Sequence, residues 1–310
     1  MSLEQCVFNQ IHIDIARNST DDFNPFHDPQ RWSNIAGNPF AAPIALGFQL
    51  EFLCSDRIMR RRALENHSSD ALLCFRNFEF NFAGALPRGE VFEIDVRKTL
   101  KKTTQGGGLS NRVVVRKSTS APILIGTQSD TSFPLVHRDA VFGAPGSLSS
   151  LKTVADRSTL PDSDLFLKRK YMTTSNAKNF ALGALCNQHD YIDELAEHIN
   201  FAPLFTASLI SCALLERGLA QGQNFQAQPM VYTSHQISVD MRVQERLRSN
   251  DVLNILVAPP ALIEPGKGLG RARVAQDMFH CSAALNDGAV LFNARVQLAP
   301  LHALSLSSDA

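Results

Sequence analysis

Eight residues concentrate the side chains most suited to chemistry: positions 20 to 27 read TDDFNPFH, with Asp22 and His27 five places apart around Asn24 and Pro25. A carboxylate beside an imidazole can share one water, one group removing its proton while the other delivers a proton to the atom next to the point of attack. Proline fixes its own φ, so Pro25 stiffens a loop on which the two side chains can converge without being stacked on a regular helix. Asn24 does not titrate near neutral pH, and its amide both donates and accepts, so it suits bracing the loop or orienting one of the pair. The same string also suits plain turn chemistry, with Asp22 or Asn24 capping a short helix and His27 packed on a surface.

The elements around this loop follow one plan used twice. Each half opens with a short strand and a polar helical stretch, passes through a loop into a long apolar helix, and then gives four strand-like segments. The helices are expected over 42–64 and 201–219. The strands are expected near 71–84, 91–100, 109–118 and 122–133, and again near 229–244, 251–259, 270–285 and 288–299. Landmarks support a duplication: the helix entries read FAAP at 40–43 and FAP at 201–203, and the strand turns run from Leu86 to Val91 and from Leu247 to Val252. The prolines are offset by 160 residues and the turns by 161, and agreement of separate landmarks argues against coincidence. The expected organisation is a first unit over 1–133, a linker over 134–162 rich in glycine, proline and serine, and a second unit over 163–310.

The first unit resembles the MaoC-like, (R)-specific enoyl-thioester hydratase family, whose motif runs aspartate, any residue, asparagine, proline, any residue, histidine just before the long helix. Asp22, Asn24, Pro25 and His27 fill those places, followed by Asp28 and Pro29. The likeness continues through APIALG at 42–47, FRNFEF at 75–80 and PRGE at 87–90, and so covers the whole first unit. The resemblance implies an α+β fold of two tandem hot-dog units, each a long helix wrapped by antiparallel sheet, joined as an intrachain pseudo-dimer. It implies a hydro-lyase acting on 2-enoyl or (3R)-3-hydroxyacyl thioesters carried on coenzyme A or an acyl carrier protein, in fatty-acid-type metabolism. Asp22 and His27 would activate the water, with Asn24 and Pro25 in support. Gly47 would be the oxyanion-hole glycine, since an N–H at a helix start is a preorganised donor for a developing enolate. No cofactor and no metal are implied.

The second unit has Asn187 and His189 in the corresponding stretch but neither the proline nor an aspartate in place, so it is expected to be catalytically degenerate and to add tunnel wall or only core. Arg57, Arg60 and Arg61, with Arg62, crowd the end of the first long helix. They complement the helix C-terminus or receive the phosphates of coenzyme A or the acidic face of a carrier protein. Two other classes stay in view: a hot-dog acyl-CoA thioesterase, whose helix acid would have to be Glu51 or Asp56, and a non-catalytic acyl-thioester binding subunit.

Composition narrows the partners. The 310 residues carry 30 basic and 30 acidic side chains, so no overall field draws the chain to nucleic acid or an anionic membrane. Six scattered cysteines (6, 54, 74, 186, 212 and 281) fit a reducing cytoplasm rather than a disulfide scaffold. The greasiest run, 201–215, is short for a membrane span and interrupted by Thr206, Ser208 and Ser211, and the N-terminal residues lack the pattern of an export signal. The expectation is a cytoplasmic protein, monomeric as a pseudo-dimer or else a homodimer. The glycines at 106–108 fall between two expected strands and open no helix, so they read as a hairpin and not as a dinucleotide fingerprint.

Overall fold

The computed structural model describes residues 5–67, 72–102, 107–119, 121–143, 151–265 and 274–305. The first unit runs β1 (Gln5–Val7), α1 (Gln10–Thr20), α2 (Gly47–Leu64), β2 (Phe75–Phe82), β3 (Val91–Val96), β4 (Leu100–Lys102), β5 (Gly108–Lys117) and β6 (Pro122–Thr131). After β7 (Ser158–Thr159), the second unit repeats the order with β8 (Phe166–Tyr171) and α3 (Thr174–Gly183), then adds the small strands β9 (Ile192–Asp193) and β10 (His198–Ile199). It continues through α4 (Pro203–Ala220), β11 (Met230–Asp240), α5 (Met241–Gln244), β12 (Val252–Val257), β13 (Ala261–Ile263), β14 (Gln276–Leu285), β15 (Val290–Pro300) and α6 (Leu301–Ser305).

Among the described residues one 13-stranded antiparallel sheet passes through both units in the order β1-β3-β5-β6-β2-β11-β15-β14-β12-β8-β7, with β4 and β13 hung on its flanks. The join is β2 against β11, from Phe75 opposite Asp240 to Asn81 opposite Ser234. Each unit thereby covers an edge that would otherwise be exposed, which is the expected pseudo-dimer. The sheet wraps both long helices, and a continuous core links Phe48, Leu53 and Phe78 of the first unit to Phe205, Ile237 and Phe292 of the second. Packed into this core along most of its length, α4 is predominantly apolar, its polar side chains Thr206 and Ser211 being hydrogen-bonded where they are buried. By length and composition alone it would pass for a membrane span, yet 72% of it is buried as a core helix.

The structure corrects two boundaries and the nature of the linker. The long helix of the first unit begins at Gly47, not at residue 42. Its approach is extended because its backbone is already committed: Ile44 N–H donates to Phe26 O (3.0 Å), Ala45 N–H to Leu86 O (2.8 Å), and Pro43 O accepts from Arg88 N–H (2.8 Å). The strand expected to run to residue 244 stops at Asp240, whose carboxylate caps α5 by accepting the Arg242 N–H at 3.0 Å. The linker is a strap rather than a tether. Leu135 N–H donates to Asn77 Oδ1 and Val136 N–H to Ser238 Oγ, both at 2.8 Å, so the chain lies across the outer face of the β2/β11 join. Phe142 and Leu151 then pack with Leu165, Leu167 and Leu256 in a second small core. The middle of the linker, 144–150, and Gly106 of the glycine triplet lie outside the described residues.

Candidate active site

The motif loop is built by a helix ending. At the end of α1 the backbone turns into the left-handed region at Asp21 (φ 55°), and Asp22 N–H returns to Arg17 O at 2.8 Å. The exposed carboxylate of Asp21 is held by the ammonium of Lys170, a buried lysine on β8 of the second unit. Downstream, two side chains each accept the N–H two residues on: Asp22 Oδ1 from Asn24 at 3.0 Å, and Asn24 Oδ1 from Phe26 at 3.2 Å. The second bond caps a 3-10 turn over Pro25–His27, with proline at its first position. Asn24 and Pro25 therefore shape the loop locally, one as its cap and the other as the first residue of its turn.

His27 is buried, and its Nδ1 lies 2.8 Å from the carbonyl oxygen of Ile44. A carbonyl only accepts, so in the neutral ring Nδ1 carries the hydrogen and Nε2 is left as an acceptor. Ile44 takes that position through the same extended approach that delays α2, so the misplaced helix start and the orientation of the imidazole have one cause. His27 and Asn24 line a cavity of about 970 Å³ that also opens on Gly47, Phe82, Arg217 and Tyr232. Asp22 is buried behind the wall, not bonded directly to His27 among the described residues. Its charge lies close enough to Tyr232 to add to burial, the larger cause, in driving that phenol well above its ordinary range. Tyr232 and Ser211 share a hydrogen bond of 2.8 Å.

Gly47 is the first residue of α2, preceded by Leu46, whose N–H is taken by Gln49 Oε1 at 3.3 Å. Among the described residues the Gly47 N–H has no acceptor, as expected for the opening turn of a helix. A Cβ at this position would stand 2.8 Å from the tip of the Phe82 ring, so the backbone is closely approached on the cavity side. The second unit offers no such donor, because its helix opens on Pro203, which has no N–H. The loop ahead of it has the same local form, with Leu185 at φ 57° and Asn187 capping a 3-10 turn over Gln188–Asp190. The residue in the imidazole's place is Asp190, however, and it pairs with Arg60 at 2.7 Å. His189 stands one position earlier and is exposed.

The other sequence-derived candidates are occupied elsewhere. Arg60 joins Asp56 and Asp190, each at 2.7 Å, Arg61 meets Glu65 at 2.6 Å, and Arg57 lies 3.6 Å from Asp56. None of the three arginines lines the cavity. The charge assigned to coenzyme A or carrier binding is taken up by carboxylates, one of them supplied by the other unit. The cavity cation is instead Arg217, on α4. Glu51 is fully buried, with Oε1 2.8 Å from Nδ1 of the equally buried His235 on β11. Burial pushes its carboxyl up, and His235 pulls against that push. Phe48 stacks on the His235 ring with centroids 4.5 Å apart. Neither Glu51 nor Asp56 lines the cavity, so the helix acids that a thioesterase reading names do not reach it. Tyr232 and Arg217 gave no local signal in sequence, since only the joining of the two units brings them to the motif loop.

Solved structures place this geometry in a known architecture. The chain is similar to a structure named MaoC-like dehydratase (TM-score 0.59, 11% identity, 97% of this chain and 96% of that one). It is also similar to a MaoC domain protein dehydratase from Chloroflexus aurantiacus (TM-score 0.60, 8% identity, 96% and 93% covered). A third is a Mycobacterium tuberculosis protein described as having a double hotdog fold (TM-score 0.57, 10% identity, 96% and 94% covered). No family model matches the sequence. No curated protein matches it either. At these identities the likeness is one of fold: the chain is a double hot-dog over nearly its whole length.

Proposed function

We propose that the chain is a MaoC-like hydro-lyase that adds water to 2-enoyl thioesters, or removes it from (3R)-3-hydroxyacyl thioesters, carried on coenzyme A or an acyl carrier protein. The observation that carries this reading is the meeting of two groups at one cavity. One is His27, whose tautomer leaves Nε2 as an acceptor; the other is the unbonded N–H of Gly47 at the start of α2. In hydration, His27 takes a proton from water as its oxygen bonds to C3, and the electron pair of the double bond moves toward the thioester carbonyl. The resulting enolate oxygen is held by the Gly47 N–H, a donor whose loss costs about 3–4 kcal/mol of barrier in comparable sites. The imidazolium of His27 then returns that proton to C2, so one water is divided into the hydroxyl at C3 and the hydrogen at C2, and His27 is neutral again. Asp22 stabilises the transient imidazolium by its charge and fixes the loop through the Asn24 N–H.

The double hot-dog likeness to structures named as dehydratases supports the same class. The test is hydration of a panel of 2-enoyl-CoA thioesters from four to sixteen carbons, followed by loss of the conjugated chromophore. The expected result is turnover on part of the panel that Asp22→Asn and His27→Ala each reduce by about a thousandfold or more, with unchanged melting. Wild-type protein that neither hydrates enoyl nor dehydrates hydroxyacyl thioesters on either carrier refutes the proposal.

A further inference from the structure

The cavity contains a charge that the proposed chemistry does not use. Arg217 lies in the last turn of α4 with only 8% of its surface exposed, yet it lines the same cavity as His27 and Gly47. Its guanidinium rests over the Phe279 ring, 5.5 Å from the centroid and so within the reach of about 6 Å at which a cation is attracted to a ring face. Its hydrogen bond, from Nη1, goes to the neutral Gln221 Oε1 at 3.0 Å. Among the described residues no carboxylate comes within ion-pair distance of Arg217. Asp277 also lines the cavity and acts on it only at longer range.

A buried cation without an ion-pair partner is costly, and cations below the surface are ordinarily matched by an anion. Complementing the end of α4 does not require burial, because an exposed arginine already gains about 0.3–1 kcal/mol there. Desolvation by burial already disfavours the charged guanidinium, and Cys281 and Asp277 offset it only in part. Elsewhere the chain matches its buried arginines closely: Arg62 and Arg76 both close on Asp130, at 2.9 and 2.8 Å. Arg217 is thus a planar, five-donor group facing the cavity, suited to a carboxylate brought in by the ligand.

We infer that Arg217 is the anion-binding end of the acyl pocket, so that the substrate is a thioester whose acyl group itself carries a carboxylate. The inference rests on the hydro-lyase reading for what is done to that substrate, but not for its binding. An acyl carboxylate is favoured over a phosphate of coenzyme A because Arg217 is itself buried and shares with Leu214, Leu215 and Phe279 the largely apolar wall of the cavity that holds His27 and Gly47. The second unit, short of its own motif residues, would then contribute selectivity to the site of the first.

The test compares binding of two saturated thioesters that cannot be hydrated: coenzyme A carrying a four-carbon acyl group ending in a carboxylate, or the same length ending in a methyl. Calorimetry on the full-length chain should give the carboxylated ligand an advantage of about thirtyfold, the value of a charge-assisted hydrogen-bonded pair. Arg217→Met should bring the ratio to about one, and Arg217→Lys, which keeps the charge and controls for folding, should retain part of it. Equal affinities in the wild type, or an unchanged ratio in Arg217→Met, overturn the inference. Repeating the pairs as pantetheine thioesters, which lack the nucleotide, separates the two anions. A ratio that persists supports the acyl carboxylate. A loss in Arg217→Met that is equal for both coenzyme A ligands and absent for both pantetheine ligands assigns Arg217 to phosphate and overturns it. A retained binding ratio in a protein without hydratase turnover would sink the proposed reaction and leave this inference standing.

Discussion

The tie between Lys170 and Asp21 should be asymmetric, and the asymmetry measures how the second unit holds the motif loop of the first. The lysine side chain is 8% exposed and the aspartate 65%. Replacing Asp21 by asparagine keeps a residue type tolerated at φ 55° but leaves an ammonium below the surface without its partner. Breaking a fully buried pair in this way costs about 3–5 kcal/mol, and an exposed pair is worth about 0–1. With one partner on each side of that divide, Asp21→Asn should cost about 2 kcal/mol. Lys170→Met removes the buried charge and returns Asp21 to water, so its cost should stay below about 1 kcal/mol, and the double variant should resemble the lysine variant. Urea unfolding of the four proteins reads these values. Both single variants also release the turn that delivers Asp22, and a misplacement of about 1 Å is enough to lower turnover by up to a hundredfold. Enoyl-CoA hydration should therefore fall in both, and amide exchange over residues 22–27 should quicken whether or not hydration is the reaction. An Asp21→Asn variant no less stable than Lys170→Met, with exchange in the loop unchanged, would refute the reasoning.

Two further perturbations test the frame around the loop. Burial opposes ionisation of Asp130, but Arg76 and Arg62 outweigh it and hold that carboxyl below the usual carboxylate range. Its contribution is fully present above the ordinary aspartate pKa and is lost as pH falls through the depressed folded value, so unfolding free energy should drop with acidification below about pH 4. Asp130→Asn should cost about 3–5 kcal/mol near neutrality by stranding two buried guanidinium groups, and should flatten that acid slope. Gly183→Ala and Gly47→Ala should fail in opposite ways. A Cβ at 183 would stand 2.9 Å from Ala16 N and His12 O, rigid backbone of α1, so overpacking should cost about 1–3 kcal/mol and show in thermal melts. At 47 the obstacle is the tip of the Phe82 side chain, which can swing into the cavity, so stability should hold while turnover drops.

Much of this was legible in the chain because it is written locally. Strand alternation, the apolar helices and the repeated landmarks needed only neighbours in sequence, and so did the loop from Asp22 to His27, whose turns are closed by bonds two residues long. The departures share a physical reason, which is that the deciding partner is distant. Residues 42–46 have the composition of a helix start, but Phe26, Leu86 and Arg88 take their backbone groups first. Arg60 looks available for phosphate until Asp190 arrives from the other unit. Likewise Asn187 and His189 suggest a worn copy of the motif, whereas the backbone sets Asp190, not His189, in the place of the imidazole.

Those departures together bear on why a duplicated chain would work through one site. On the proposed reading the second unit has neither group: its long helix opens on Pro203, which has no N–H, and its loop sets Asp190 where the first unit's loop presents His27. Neither difference disturbs the join, because β2 and β11 pair through their backbones over a largely apolar core that also holds the buried Glu51–His235 pair. The second unit was thus free to change what it places in the cavity of the first. Tyr232 of β11 and Arg217 of α4 line that cavity, and Ser211 of α4 bonds the Tyr232 hydroxyl from behind. Selectivity and catalysis can then be varied on different halves of one chain, and substitutions on α4 should alter which acyl group is accepted without altering how His27 is held.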